Sequence, residues 1–371
     1  MPMPPLDAES YPPPAPTRLI VEPGDDYGRA NRHWQGIPSI ARSPGGRLWV
    51  TWYTGGRRED NDNYCLIVTS GDNGENWSEP IAVVDPPGLT RAWDPCVWMC
   101  PDGRLWWTWT QSTPMPGTVW DGRGGVWAVT TETPDEPQPS WSEPRRLAHG
   151  VALNKPVFTT VGEFVLPITL WPGPEDCVPP VFPELDPIRR CGALVSSDAG
   201  ETWTRHRGTD VDERIFDEPM IAEICDGTLW MLIRTRTGLA ESFSMDGGVT
   251  WSRSRPSRIA GPSSRFFLGR LASGRLLLVN HLGNPHRGRS HLTAMLSEDD
   301  GVTWPHRVLL DARPQVSYPD AVESPDGTIR VVYDRGRYDE KEILMAVFTE
   351  EEVVADGVSE DSLQRVVSRL D

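Results

Sequence analysis

The sequence predicts an all-β protein folded as a six-bladed β-propeller, and two interleaved repeats and a turn-rich composition predict it. The first repeat is S-x-D-x-G-x-[TN]-W, found at residues 70–77, 196–203, 244–251 and 297–304. The last three begin 48 and 53 residues apart. Asp and Ser side chains in such a stretch hydrogen-bond nearby backbone amides, and Gly takes the positive φ of the turn. The closing Trp then folds back over it.

The second repeat places a tight turn before an apolar run. Gly-Arg-Leu-Trp occurs at 46–49 and 103–106, and Gly-Thr-Leu-Trp at 227–230. Looser copies start at Gly162, Gly274 and Gly327, so six units are counted. Each reads as a turn followed by a strand such as RLWVTWY or TIRVVYD. The gap between the first two octamers is too long for one unit. Trp141-Ser-Glu-Pro repeats the ending Trp77-Ser-Glu-Pro, so a degenerate octamer is expected there. The 37 prolines, 34 glycines and 17 tryptophans suit many short strands joined by turns.

The ends depart from this pattern. Residues 1–30 read as a proline-rich arm, without the basic and apolar regions of a signal peptide. Residues 31–350 form the propeller, and 351–371 read as a capped turn followed by a short amphipathic C-terminal helix. No apolar run approaches the roughly 20 residues that span a bilayer. A net charge of −17 argues against nucleic acid or an anionic membrane as partner. The six cysteines show neither a CxxC pair nor zinc spacing, and with no leader they point to a cytoplasmic protein. No cofactor is expected. Axial carboxylates allow a structural calcium ion, but no calcium-loop spacing predicts one.

The octamers are the Asp-box of the sialidase (neuraminidase) superfamily, which the chain resembles from about residue 32 to 350. The resemblance implies three arginines holding a substrate carboxylate, a tyrosine nucleophile assisted by a glutamate, and an aspartate acid. DEPMIAEICDGTLWMLIR resembles the segment that places the glutamate at Glu218 and one arginine at Arg234. GRSHLT places another at Arg289, SYPDAVESPDGTI places the nucleophile at Tyr318, and REDNDNY places the acid at Asp60 or Asp62. The first arginine, expected just before Ile-Pro, is absent: Gln35-Gly36 precede Ile37-Pro38. A neutral amide donates hydrogen bonds but lacks charge-assisted bidentate recognition.

Within the superfamily the chain is also similar to the L-rhamnose-α-1,4-D-glucuronate lyases, through QGIPSI, RAWDPCVW, SRFFLGRL and SYPDAVESPDGTIRVVYD. Elimination at a uronate needs a neutralised C6 carboxylate, a base for the C5 proton and an acid for the C4 oxygen. Arg234, Arg265 and Arg289 with Asn154 are candidates for the first role. His291 or Tyr318 fits the second, and His33 or Tyr318 the third. Lys155 and Gln35 complete the expected binding set. The expected partner is an acidic oligosaccharide and the expected reaction is β-elimination at a uronate. A retaining sialidase-type hydrolase with Tyr318 and Glu218 as nucleophile pair is the alternative, and a non-catalytic glycan- or protein-binding propeller the third reading. Asp94 and Trp98 read as packing residues.

Overall fold

A computed structural model describes residues 17–113, 120, 122–172, 182–282 and 288–371. Its strands form six antiparallel sheets, five of four strands and one of five. The innermost strands, in blade order, are Trp34–Arg42, Arg91–Met99, Val157–Phe158, Met220–Glu223, Phe267–Arg270 and Val316–Glu323. The turn-plus-apolar repeats begin the second strand of each blade, and the octamers join the third strand to the outer one. The degenerate octamer lies at that place in the second blade, between Gly125–Thr131 and Arg145–His149.

The two repeats interlock across blades. In the third-blade octamer, Ser196 Oγ donates to Asp198 at 2.7 Å and accepts from Gly200 N at 2.8 Å, while Asp198 accepts from Thr202 N at 2.9 Å. Gly200 has φ 84°, and a Cβ there would stand 2.7 Å from the ring of Trp106 on the preceding blade. Gly301 meets Trp230 in the same way at 2.6 Å. Trp106 and Trp230 thus need the octamer glycine of the next blade, whereas Gly74 and Gly248 make room for Met345 and Val165 of the blades before them. The common spacing of the two motifs is a packing requirement. Trp34, Trp49, Trp52, Trp106, Trp107 and Trp109 are all fully buried, so tryptophan supplies much of the apolar burial of this β core.

The ends of the chain both join sheets. Leu19–Val21 pairs with Ala82–Val84 as a fifth strand of the first blade, so the expected arm is sheet from Leu19 onward. Residues 1–16 lie outside the described residues. The expected helical tail contracts to Glu350–Val354, whose Thr349 and Glu352 form a capping box. Arg365–Arg369 instead pairs with Glu342–Thr349 as the outer strand of the sixth blade. Without it the blade would end on an unpaired edge, and Val367 is buried by the pairing.

Among the described residues no strand is shared between the first and last blades, and side chains close the ring. Gln35 donates through Nε2 to the Lys341 carbonyl at 2.6 Å and accepts from Ser368 at 3.1 Å. Asp334 accepts from Ile37 N at 2.7 Å, and Asp320 from Ser39 Oγ and Ile40 N at 2.7 and 2.9 Å. Each of these buried acceptors in the sixth blade takes up donors from the first, which is what their desolvation demands.

The octamer aspartates make a testable pH signature. Asp198 is drawn from its usual 3.8 to about 2, first by the Thr202 hydroxyl and then by the Thr202 amide; Asp72 behaves likewise with Asn76. A depressed carboxylate stabilises the fold above its ordinary value, and that contribution is lost as pH falls from about 3.8 toward 2. Asp198→Asn should therefore lower Tm at pH 7 by more than at pH 2.5 in parallel melts. Turnover per folded molecule should not change.

Candidate active site

The innermost strands carry a shared local irregularity. Ile37, Asp94, Glu218 and Tyr318 each precede a proline, and each has a left-handed φ of 63°, 48°, 41° and 54°. Proline donates no ladder hydrogen bond, and the register shifts between Gly36 and Ser39, Trp93 and Cys96, and Ser317 and Asp320. In the fourth blade pairing begins only after Pro219. A left-handed non-glycine residue costs about 1–2 kcal/mol. Four of them at equivalent steps of the propeller mark strain tied to a site. All four face one cavity of about 550 Å³ on the axis.

The carbonyls freed at these steps have dedicated partners. Arg265, 1% exposed, donates to the carbonyls of Leu153, Pro38 and Tyr318 at 3.1, 3.3 and 3.4 Å. Its Nε donates to Asn154 Oδ1 at 2.6 Å, and Asn154 Nδ2 donates to the carbonyls of Glu218 and Pro219 at 3.2 and 2.8 Å. Lys155 pairs with Asp320 at 3.0 Å and lines a separate cavity with Arg42 and Phe267. Asn154, Lys155 and Arg265 are therefore an axial plug that holds inner strands together, and not the substrate-binding groups expected of them.

Tyr318 and Glu218 form the centre of the main cavity. The phenol donates to Glu218 Oε1 at 2.5 Å. Arg234 Nη1 donates to that same oxygen at 2.9 Å and to the phenol oxygen at 3.0 Å. Tyr318, Glu218 and Arg234 are 5%, 2% and 4% exposed. Burial, followed by the Glu218 charge, raises the Tyr318 pKa despite the opposing effect of Arg234, Arg289 and Arg337. The phenol is thus protonated at rest, with a carboxylate positioned to receive its proton. Burial works against the charge of Arg234, but Glu218 and Tyr318 outweigh it and raise its pKa.

Two further guanidinium groups stand against the tyrosine ring. Arg289 lies 5.2 Å from its centroid and Arg337 4.3 Å. Arg289 has no carboxylate partner among the described residues, whereas Arg337 contacts Asp334 at 2.8 Å and Glu59 at 3.2 Å. Among the described residues, six arginines and three carboxyl groups line the cavity, in a chain of net charge −17. Asp94 is 3% exposed, and burial, then the charges of Glu218 and Glu59, push its pKa far up. The shift favours its protonated form. One wall is aromatic: Trp93, Trp120 and Trp171 pack within 5.3–5.8 Å of one another, and Phe216 lies 5.1 Å from Trp171.

Of the residues expected from sequence, Tyr318, Glu218, Arg234 and Arg289 converge here. The others do not. Asp62 and His33 are solvent-exposed, and Asp60 is spent holding its own loop through the Asp62 amide at 3.1 Å. Glu59, one residue before them, turns into the cavity and accepts from Tyr53 at 2.8 Å. His291 is held at the cavity's outside by Ser290 at 3.0 Å. His281 is buried, its ring bonded to the Val316 carbonyl at 2.8 Å, and burial lowers its pKa to about 4. Gln35 staples the ring closed.

Asp94 and Arg337 were not foreseen. The signal for Asp94 was present, because Asp94-Pro95 repeats the Xaa-Pro step of Ile37, Glu218 and Tyr318. Arg337 had no such signal.

Comparison with known proteins agrees with this fold. Residues 46–331 match the BNR repeat-like domain family. A sialidase of Bacteroides fragilis (strain YCH46) is 28% identical over 167 residues, 42% of this chain and 30% of that one. The chain thus aligns with about a third of that relative's length. Among solved structures, the Hadza microbial sialidase Hz136 superposes with a TM-score of 0.69 at 19% identity, covering 89% of this chain and 68% of that one. The intramolecular trans-sialidase of Ruminococcus gnavus, in complex with oseltamivir carboxylate, gives 0.66 at 14%, covering 91% and 98%. At these identities the structural likeness speaks for the fold alone.

The separation between plug and pocket is testable. Arg265→Ala leaves Asn154 Oδ1 and the carbonyls of Leu153, Pro38 and Tyr318 without this donor in the core and should cost about 3–5 kcal/mol in denaturant melts. His33→Ala, at an exposed side chain, should change stability by no more than about 0.5 kcal/mol, and neither it nor His291→Ala should change turnover per folded molecule by more than about twofold in steady-state assays.

Proposed function

Because the chain belongs to the BNR repeat-like domain family of the sialidase superfamily, we propose that it cleaves the glycosidic bond of a carboxylate-bearing, sialic-acid-type sugar through a tyrosyl-enzyme intermediate. The observation that carries this reading is the hydrogen bond of 2.5 Å from Tyr318 to Glu218, with Arg234 bridging both oxygens. A neutral phenol attacks an anomeric centre that already carries a carboxylate with less charge repulsion than a carboxylate nucleophile. This is the departure from the two-carboxylate glycosidases that the arrangement favours.

The steps balance within the cavity. Tyr318 Oη forms a bond to the anomeric carbon as its proton passes to Glu218. The bond to the leaving oxygen breaks, and Asp94, whose raised pKa favours the protonated form, supplies the proton that oxygen needs. Water then attacks the same carbon and returns a proton to Asp94, while Glu218 returns its proton to the departing tyrosine. Arg289, which lacks a carboxylate partner among the described residues, is free to pair with the sugar carboxylate. The aromatic wall excludes water and offers flat surface for the leaving group.

Elimination at a uronate has fewer parts in the cavity. Of the base and acid expected for it, His291 and His33 lie outside, whereas the Tyr318–Glu218 pair bridged by Arg234 matches the nucleophile arrangement of the sialidase-type reaction. The sialidase-type reading is favoured for that reason.

Products formed in H₂¹⁸O separate the two chemistries. The expected result is a saturated acidic sugar carrying one labelled oxygen, together with a covalent adduct on Tyr318 when a 3-fluorosialyl fluoride is used. An unsaturated product without label would overturn the reading. Glu218→Gln should lower kcat by about 10²–10⁴-fold, the usual worth of a positioned base.

The choice of acid has its own test. Asp94→Asn should cripple hydrolysis of a sugar aglycone and spare a nitrophenyl glycoside, whose leaving group needs no proton. Equal losses on both substrates in steady-state assays would remove Asp94 from that role.

A further inference from the structure

Where the sialidase pattern has its first arginine, immediately before Ile37-Pro38, this chain has Gly36. That position is not empty in space. A Cβ built on Gly36 would lie 2.8 Å from Cδ and 2.8 Å from Nε of Arg337, and 3.1 Å from Cγ. The stem of Arg337 therefore fills the volume that a side chain at position 36 would enter. The two origins exclude each other sterically. Arg337 follows the second strand of the sixth blade, Thr328–Arg335, and crosses the ring closure to reach the first blade.

Its guanidinium is built in place. Nε donates to Asp334 Oδ2 at 2.9 Å, and Nη2 lies 2.8 Å from that same oxygen. Asp334 is fully buried and also accepts from Ile37 N and from Ser317 Oγ, at 2.7 and 2.6 Å, so it anchors the arginine to the strained steps at Ile37 and Tyr318. Guanidinium carries five N–H donors. Asp334 takes those on one edge only. Nη2 also makes a long contact of 3.3 Å to Ser317, and on the other edge Nη1 makes one of 3.2 Å to Glu59. That edge borders the cavity, with the carbon 4.3 Å from the Tyr318 ring centroid, on which Arg289 also packs.

We propose that Arg337, delivered from the sixth blade over Gly36, is the third cation of the carboxylate clamp with Arg234 and Arg289, in place of the arginine missing from the first blade. The assignment rests on the anionic-sugar reading above. It makes the selectivity of the site for an acid over its ester depend on a residue outside the Ile37-Pro38 strand. It also makes the site depend on closure of the ring, because the arginine and the glycine beneath it come from opposite ends of the chain.

The test is equilibrium binding by calorimetry of N-acetylneuraminic acid, glucuronic acid and the methyl ester of each to the full chain. Arg337→Ala should weaken the preferred acid at least ~30-fold, the scale for one lost partner of a buried charge pair, and its ester less than threefold. Removing this cation also strips Asp334 of its counter-ion, so melting is recorded for every variant. The double variant Gly36→Arg/Arg337→Ala puts an arginine back into the same volume from the first blade. It should recover at least tenfold of the lost affinity for the acid. Equal losses on acid and ester, an unchanged affinity in Arg337→Ala, or no recovery in a folded double variant would each overturn the clamp. Wild type binding neither acid would overturn it as well. Arg337-dependent binding of the uronate but not of the sialic acid would keep the clamp and overturn the sialic-acid reading.

Discussion

Four residues held in left-handed backbone immediately before prolines are the constraint on which the site depends. A regular inner strand alternates its side chains between the two faces of its own blade. At Ile37, Asp94, Glu218 and Tyr318 the proline removes a ladder donor and the shifted register turns the preceding residue toward the axis. The cavity exists because this happens at equivalent heights in four blades. A carboxylate, a second carboxyl group and a phenol are thereby brought together from blades far apart in sequence. The strain is offset from below, where Arg265 and Asn154 accept the role of hydrogen-bond donors to the freed carbonyls.

The polar interior follows from that arrangement. Bulged strands expose carbonyls that water cannot reach, and an all-apolar axis would leave them unpaired. Arginine suits the position because one planar group with five donors reaches carbonyls on several blades at once. The axial carboxylate Asp320 is in turn neutralised by Lys155 and lies 3.8 Å from Arg265. Above this plug the charge balance reverses: among the described residues arginines outnumber carboxyl groups around the cavity, and burial raises the Asp94 pKa toward its protonated form. A low-dielectric funnel with fixed cations concentrates anions despite the acidic surface around it.

Ring closure and chemistry share the same residues. Gln35, read from the sequence as a neutral substitute in the clamp, instead ties the first blade to Lys341 and Ser368 of the last. Asp334 both closes the ring at Ile37 and seats Arg337. A propeller closed by a shared strand would not need these contacts. Here the closing side chains lie at the floor and rim of the pocket, so loosening the junction also loosens the site.

The sequence alone determined the fold, because Asp-box turns and strand starts are local: each octamer satisfies its own backbone within eight residues, as Ser196, Asp198 and Thr202 do. It also determined Tyr318, Glu218, Arg234 and Arg289, whose neighbouring residues carry a family pattern. The Xaa-Pro step that adds Asp94 was legible too, as a repeat in register with the blades. Tertiary structure decided the rest. Polar side chains in inner strands look alike in sequence whether they point up into the cavity or down into the plug, and only the bulges separate Arg265, Asn154 and Lys155 from the site. The tail became a strand because the sixth sheet offered an open edge, an influence no local period contains. Arg337 reaches its place because Gly36, some 300 positions away in the chain, has no side chain to block it. That is a long-range steric fact, and it forms only when the ring closes.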